Sequence, residues 1–267
     1  MYEAVKRYCI IVAGGSGRRM KASLPKQFLL LAGRPVLMHT VERFSTFDPL
    51  MSIILVLPAE HHALWRQLCT EHSFGVSHIV VAGGEERFYS VKAGLDWVAA
   101  DVKGAAREQA VPGDAGAAGM EAVSGYGTTG AGSNEIQGAD DTLIAIHDGV
   151  RPLVSHDTIW RCFSDAGEFG NAIPFIEPAD SVRVLDGDDS RPVQRSVVRL
   201  IQTPQVFRGS VIIKAYEKEF DASFTDDATV AEADGIKIHL THGNRENLKI
   251  TTPEDLAVAA TLAPLLR

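Results

Sequence analysis

The sequence has no run of about 18 uncharged apolar residues, the length a membrane-spanning helix needs, which excludes a helical membrane protein. Its first apolar run, Tyr8 to Ala13, is too short for a signal-peptide core, so the expectation is a cytoplasmic protein with no membrane partner. Cysteine is scarce as well. Cys9, Cys69 and Cys162 are the only three in 267 residues and show no C-x-x-C spacing, which excludes a disulfide framework and a zinc cluster. Basic excess is missing: the net charge is −8, which argues against nucleic acid as a partner but says nothing of a local basic pocket.

A further absence is local. From Asp101 to Asp141 there is no Leu, Phe or Trp, while nine Gly and nine Ala fill 41 residues and the charge is −5 of the total −8. Such a stretch cannot bury enough apolar surface to offset its ordering entropy, so 101–141 is expected to be a flexible Gly/Ala-rich insertion. The whole chain, 1–267, then reads as one domain carrying a loop, not as two domains.

What remains alternates strand with helix. Short apolar or β-branched runs at Tyr8 to Ala13, Ile53 to Leu57, His78 to Val81, Leu143 to His147, Ala172 to Phe175 and Lys237 to Thr241 predict buried strands. Between them, helical periodicity covers Val36 to Ser45, His61 to Glu71, Ser90 to Ala99, Thr158 to Ala166, Gly209 to Phe220 and Pro253 to Leu265. This alternation implies an α/β, three-layer architecture around a mostly parallel, twisted sheet, with ligands beyond the carboxyl ends of the strands. One region departs from it: Ser181 to Leu185 and Ser196 to Leu200 flank an Asp/Gly-rich turn, so 177–205 reads as a protruding β-hairpin arm. The acidic turn lacks the twelfth-position Glu of a calcium loop.

The first strand runs into Gly14-Gly15-Ser16-Gly17-Arg18-Arg19-Met20 and then Pro25-Lys26-Gln27. Glycines there let backbone N–H groups approach a phosphate chain, and Arg18, Arg19 and Lys26 supply positive charge. No Gly-Lys-Ser/Thr follows, so this is not a P-loop, and the third glycine of a dinucleotide fingerprint is missing, which disfavours a nicotinamide oxidoreductase. Further along stand Gly83-Gly84-Glu85-Glu86-Arg87 with Ser90, His147-Asp148-Gly149-Val150-Arg151-Pro152, Thr203-Pro204-Gln205, Asp226-Asp227-Ala228 and Lys249-Ile250-Thr251-Thr252-Pro253-Glu254-Asp255.

In this order the motifs resemble the 2-C-methyl-D-erythritol 4-phosphate cytidylyltransferase family, which carries out the CTP-dependent step of the non-mevalonate isoprenoid pathway. The resemblance implies a Rossmann-like nucleotidyltransferase fold and transfer of CMP from CTP to the polyol phosphate, with Mg²⁺ as cofactor. It implies that Arg19, Lys26 and Lys249 supply catalytic charge. Ala13, Gly14, Gly15, Gly17, Gly84, Glu85, Arg87 and Ser90 would line the nucleotide pocket. Asp148, also the metal ligand, with Arg151, Ser181, Arg195, Thr203 and Asp226, would bind the polyol phosphate; for Asp226 a helix cap is the other reading. The arm at 177–205 would embrace a second subunit in a homodimer. Ala13-Gly14-Gly15, His147-Asp148-Gly149-Val150 and Ser181 stand where many members carry Ala-Ala-Gly, His-Asp-Ala-Ala and threonine. The Gly-Gly variant is also similar to ribitol 5-phosphate cytidylyltransferase, which is kept as the alternative.

The remaining polar and aromatic features read as structural. His61-His62 and His239 with His242 lack neighbouring ligands for a metal. Trp65, Trp97 and Trp160 fall in helical patterns and are expected to pack in the core, and Phe88-Tyr89 reads as a base-stacking pair or as aromatic filler.

Overall fold

The structure, a computed structural model of the chain, describes residues 5–15, 24–104, 139 and 142–266. Gly17, Arg18, Arg19 and nearly all of the expected insertion lie outside the described residues. In chain order the elements are β1 (Lys6–Val12), β2 (Leu30–Leu31), β3 (Arg34–Pro35), α1 (Val36–Phe47), β4 (Ser52–Leu57), α2 (His62–Glu71), β5 (Ile79–Ala82) and α3 (Arg87–Val102). There follow β6 (Thr142–Asp148), α4 (His156–Phe169), β7 (Asn171–Ile176), β8 (Val182–Asp186), β9 (Asp189–Val193), β10 (Leu200–Ile201) and β11 (Gln205–Arg208). The last are α5 (Gly209–Ala215), α6 (Asp227–Ala233), β12 (Leu240–His242) and α7 (Pro253–Leu262).

The main sheet runs β10-β7-β11-β6-β1-β4-β5, with β12 beside β7. β6, β1, β4 and β5 are parallel neighbours, as their near-continuous apolar sequences require of strands buried on both faces. β11 lies antiparallel between β6 and β7. Strand alternation divides the core. Cys9 and Ile11 of β1 face α1, α2 and α4 through Phe44, Trp65, Ile159 and Phe163. Tyr8, Ile10 and Val12 face α3, α5 and α6 through Val91, Leu95, Ile212 and Val230. Each fully buried side chain of this kind contributes roughly 1.5–3 kcal/mol, so the two layers hold the sheet in place. The α3 helix lies unusually close to β1: a Cβ on Gly94 would stand 2.6 Å from Ile10 Cγ2, so only glycine fits there without displacement.

The α4 helix shows how local sequence sets an element. Ser155 caps it by accepting from Thr158 N–H, Gly170 ends it at φ +87°, and Ile159, Cys162, Phe163 and Ala166 form its buried stripe. Trp160 sits off that stripe and is 61% exposed, which corrects its expected place in the core. The hairpin also differs from expectation. β8 pairs not with 196–200 but with Asp189–Val193, across a two-residue turn with Gly187 at φ +58°. Arg195–Val197 instead form a short 3₁₀ turn, and Leu200–Ile201 return to β7. The α3 helix carries on through Asp101, assigned above to the insertion, and its carboxylate bonds Lys6 and the Tyr8 hydroxyl. The α5 helix stops at Ala215 and β12 is shorter than its sequence run. Among the described residues no helix is long and apolar enough to cross a membrane.

Candidate active site

The sheet's carboxyl edge at β1 and β6 opens into a cavity of about 410 Å³. Its floor is the turn after β1, where Ala13 N–H bonds Val56 and the buried Gln27 amide donates to the Ala13 carbonyl at 2.7 Å. The Lys26 side chain lies over this turn, its Cε 3.5 Å from where a Cβ on Gly15 would stand. Gly84, Glu85 and Ser90 form the opposite wall, with Ser90 Oγ donating to the Gly84 carbonyl at 3.4 Å. A side chain at Gly84 would collide with Tyr89 Cβ, so the open backbone of this wall depends on glycine.

At the end of β6, Asp148 collects three cations, Arg151 from its own turn and Arg87 and Lys249 from distant parts of the chain. Its Oδ2 is 3.1 Å from Lys249 Nζ and 3.1 Å from Arg151 Nε, and its Oδ1 is 3.9 Å from Arg87 Nε. Burial by itself would raise the carboxyl pKa, but Lys249, Arg87 and Arg151 together outweigh it and hold the group well below the usual carboxylate range. Asp148 is therefore charged at any ordinary pH.

Each cation is itself anchored. Arg87 forms two parallel hydrogen bonds of 2.7 Å to the fully buried Asp227, whose Oδ1 also accepts from Tyr216 Oη at 2.6 Å. Arg151 Nη1 donates to the Asn247 carbonyl at 2.7 Å. The loop bearing Lys249 is tied down on both sides: Asn247 Nδ2 donates to the Thr203 carbonyl at 2.8 Å, and Ile250 N–H to the Val150 carbonyl at 2.9 Å. Beneath Asp148, the fully buried His147 has its pKa pushed down to about 4, chiefly by burial, and is neutral.

Of the residues singled out from the sequence, Ala13, Gly14, Gly15, Lys26, Gly84, Glu85, Arg87, Ser90, Asp148 and Lys249 come together around the cavity. Gly17 and Arg19 lie outside the described residues. Arg151 and Thr203 support Asp148 from the side and below, Thr203 Oγ1 accepting Asp148 N–H at 3.1 Å. Ser181 and Arg195 are exposed on the arm, where Arg195 Nη1 donates to the Ala179 carbonyl. Asp226 caps α6 in a reciprocal capping box with Thr229 and accepts from Gln205 Nε2, so within this chain its carboxylate serves the helix and not the cavity wall. Arg87 lines the cavity, but its two terminal nitrogens serve Asp227 and only Nε is directed at Asp148. Sequence reasoning gave no role to Asp227, Tyr216, Gln27 or Asn247. Gln27 and Asp227 stand within the quoted motifs Pro25-Lys26-Gln27 and Asp226-Asp227-Ala228, while Tyr216 and Asn247 carry no sequence signal.

A glycine-lined cavity at the carboxyl edge of a parallel sheet, with Lys26, Arg87 and Lys249 in its wall, marks an α/β protein built to take a phosphate-bearing ligand. The profile of one family, 2-C-methyl-D-erythritol 4-phosphate cytidylyltransferase, matches residues 8–112 and 127–263. Among relatives of that name, the Bacteroides fragilis protein is 45% identical over 256 residues, 96% of this chain and 99% of that one. The Porphyromonas gingivalis protein is 43% identical over 258 residues, 96% and 97% of the two chains. The solved structure of 4-diphosphocytidyl-2C-methyl-D-erythritol synthase from Anaerococcus prevotii superposes with a TM-score of 0.68 at 26% identity, covering 99% of this chain and 98% of its own. That of the Thermus thermophilus cytidylyltransferase gives 0.63 at 26%, covering 96% and 98%. The chain belongs to the 2-C-methyl-D-erythritol 4-phosphate cytidylyltransferase family.

The anchor of Arg87 is testable apart from catalysis. Arg87→Ala leaves Asp227 buried without its counter-charge and is expected to cost about 3–5 kcal/mol of unfolding free energy. Tyr216→Phe, which removes one hydrogen bond to a charged group, should cost about 1.5–3 kcal/mol. Urea denaturation measures both, and wild-type stability in Arg87→Ala would contradict the clamp.

Proposed function

We propose that the chain transfers CMP from CTP to 2-C-methyl-D-erythritol 4-phosphate, giving 4-diphosphocytidyl-2-C-methyl-D-erythritol and pyrophosphate. The observation that carries this reading is the convergence of Lys26, Lys249 and Arg87 on one glycine-walled cavity, with Arg151 beside the ionised Asp148 at its edge. A substrate phosphate oxygen attacks the α-phosphorus in line, a new P–O–P bond forms, and the bond to the β-phosphate breaks as pyrophosphate leaves. The protein's task in such a step is to position the two anions and offset their mutual repulsion.

The small backbone walls at Gly14, Gly15, Gly84 and Glu85 suit a pyrimidine base and its ribose, with Ser90 at their junction. Lys26 faces the turn that would receive the triphosphate, and Arg19 would join it there by the family resemblance. Lys249 and Arg151 hold the attacking phosphate beside Asp148, which accepts from the polyol hydroxyls. Magnesium goes with this reading: Asp148 Oδ1, which meets Arg87 Nε only at 3.9 Å, would supply one carboxylate oxygen and the substrates' phosphates the rest. Bound there, it would neutralise phosphate charge. Highly charged substrates of this kind are retained in the cytoplasm, the location that goes with this reading.

The arm is read as a dimerisation element. Leu185 is 78% and Val197 is 73% exposed in this chain, which favours their burial against a second copy, and the family resemblance implies that the arm then brings the partner's Ser181 and the partner's Arg195 to the polyol site.

Pyrophosphate release with CTP, Mg²⁺ and each polyol phosphate in turn tests the substrate. Turnover is expected with the methylerythritol ester and background with ribitol 5-phosphate; the reverse would overturn the reading. Mixing Arg195→Ala chains with Lys26→Ala chains should restore activity to sites that combine an intact Lys26 with an intact partner arm, and heterodimers without any restored activity would contradict arm exchange.

A further inference from the structure

We propose that His147 is a positioning residue for this reaction, a buried imidazole that holds the Asp148–Arg151 turn from the far face of the sheet. Strand alternation places His147 opposite Asp148. Its ring packs edge-on against Phe44 at 4.9 Å between centroids and is fully buried, so it has no route to the substrates itself.

Its hydrogen bonds run in one direction. Nε2 lies 3.1 Å from the Arg151 carbonyl, which can only accept, so Nε2 carries the proton. Nδ1 is then an acceptor, and the Thr203 hydroxyl, 3.0 Å away, donates to it. The same hydroxyl oxygen accepts Asp148 N–H at 3.1 Å. The chain of donors therefore leaves the backbone of Asp148, passes through Thr203 and His147, and ends on the backbone of Arg151. Arg151 N–H to the Asp148 carbonyl at 3.0 Å closes the ring.

This ring sets both ends of the turn that presents the site's chemistry. With its N–H and C=O both held, Arg151 projects a guanidinium that meets Asp148 Oδ2 through Nε and the Asn247 carbonyl through Nη1. An apolar ring in place of His147 would still fill the space against Phe44. It would leave the Arg151 carbonyl without a donor and the Thr203 O–H without an acceptor in a buried site, and the turn would shift to satisfy them. The Gly84–Ser90 wall is on another loop and takes no part in the ring. The inference rests on the reading that the 148–151 turn handles the polyol phosphate, and it predicts a defect confined to that substrate.

Steady-state kinetics of His147→Phe, His147→Asn and His147→Gln, with Arg151→Ala alongside, tests it. His147→Phe should raise the KM for 2-C-methyl-D-erythritol 4-phosphate about tenfold or more, as loss of buried hydrogen bonds predicts, with the KM for CTP within about twofold of wild type. His147→Asn, which keeps an acceptor for Thr203 but is too short to reach Arg151, should show the same selectivity and carries the test should His147→Phe fail to fold. His147→Gln, whose amide offers one acceptor and one donor with longer reach, should recover most of the loss. An unchanged KM for the polyol phosphate in both His147→Phe and His147→Asn, while Arg151→Ala raises it, overturns the proposal and leaves the reading of the turn intact. Equal losses for both substrates without rescue by glutamine would reduce His147 to a packing residue and also overturn it. Arg151→Ala without effect would overturn the reading of the turn, and the proposal with it.

Discussion

The site depends on one electrostatic constraint: a nearly buried carboxylate, Asp148, must be balanced by cations that the chain supplies from three separate places. An ion pair at about 4 Å contributes about 4 kcal/mol at an effective dielectric near 20, before the cost of removing both charges from water. One partner alone would barely offset that cost. Three do, and in being drawn together Arg87, Arg151 and Lys249 bring the start of α3, the turn after β6 and the loop before α7 to the same point. Each arrives already braced, Arg87 by Asp227 and Tyr216, Arg151 and Lys249 by the loop around Asn247. The aspartate is thus an organiser of positive charge.

The described lining is balanced, Lys26, Arg87 and Lys249 against Asp148, Glu85 and Glu86, in a chain whose net charge is −8. The bulk of the acidity is elsewhere, much of it in the 101–141 segment, and a concave, low-dielectric pocket concentrates the field of its own lining. A site that must bring two polyanions within bonding distance needs cations held in fixed places, as Arg87 and Lys249 are here. The sheet supplies the rigidity: β1 and β6, paired over seven residues, place the glycine turn and Asp148 side by side, and the buried side chains on both faces keep them there.

Much of this was legible in the sequence because it rests on local rules. Buried parallel strands need β-branched runs, so β1, β4 and β6 were visible; α7 was visible in the periodicity from Pro253 to Leu265, and it starts on a Thr252 cap with Pro253 in its first turn. The glycine turn and Lys26 were found from residue type and order, Asp148 and Lys249 through the family resemblance, and the structure brings them to one cavity. What was missed is decided by contacts across the fold. Gln205–Arg208 is four residues long and becomes a strand because a slot between β6 and β7 accepts it. Of two adjacent aspartates, Asp226 turns back to cap its helix while Asp227 points inward to Arg87, a choice no local pattern encodes. The arm was found, but its register was not. Gly187 with Asp188 makes a tighter turn than the whole acidic cluster suggested, and the pairing moved accordingly. Trp160 was misplaced although helical periodicity puts it off the buried stripe of α4.

The most direct test of the account is Asp148→Asn, which keeps the shape of the side chain and removes its charge. Pyrophosphate release from CTP and 2-C-methyl-D-erythritol 4-phosphate should fall by about 100-fold or more, the scale of losing a preorganised electrostatic group, in a protein that remains folded by circular dichroism. Activity within a few fold of wild type would contradict the claim that the ionised carboxylate organises the site.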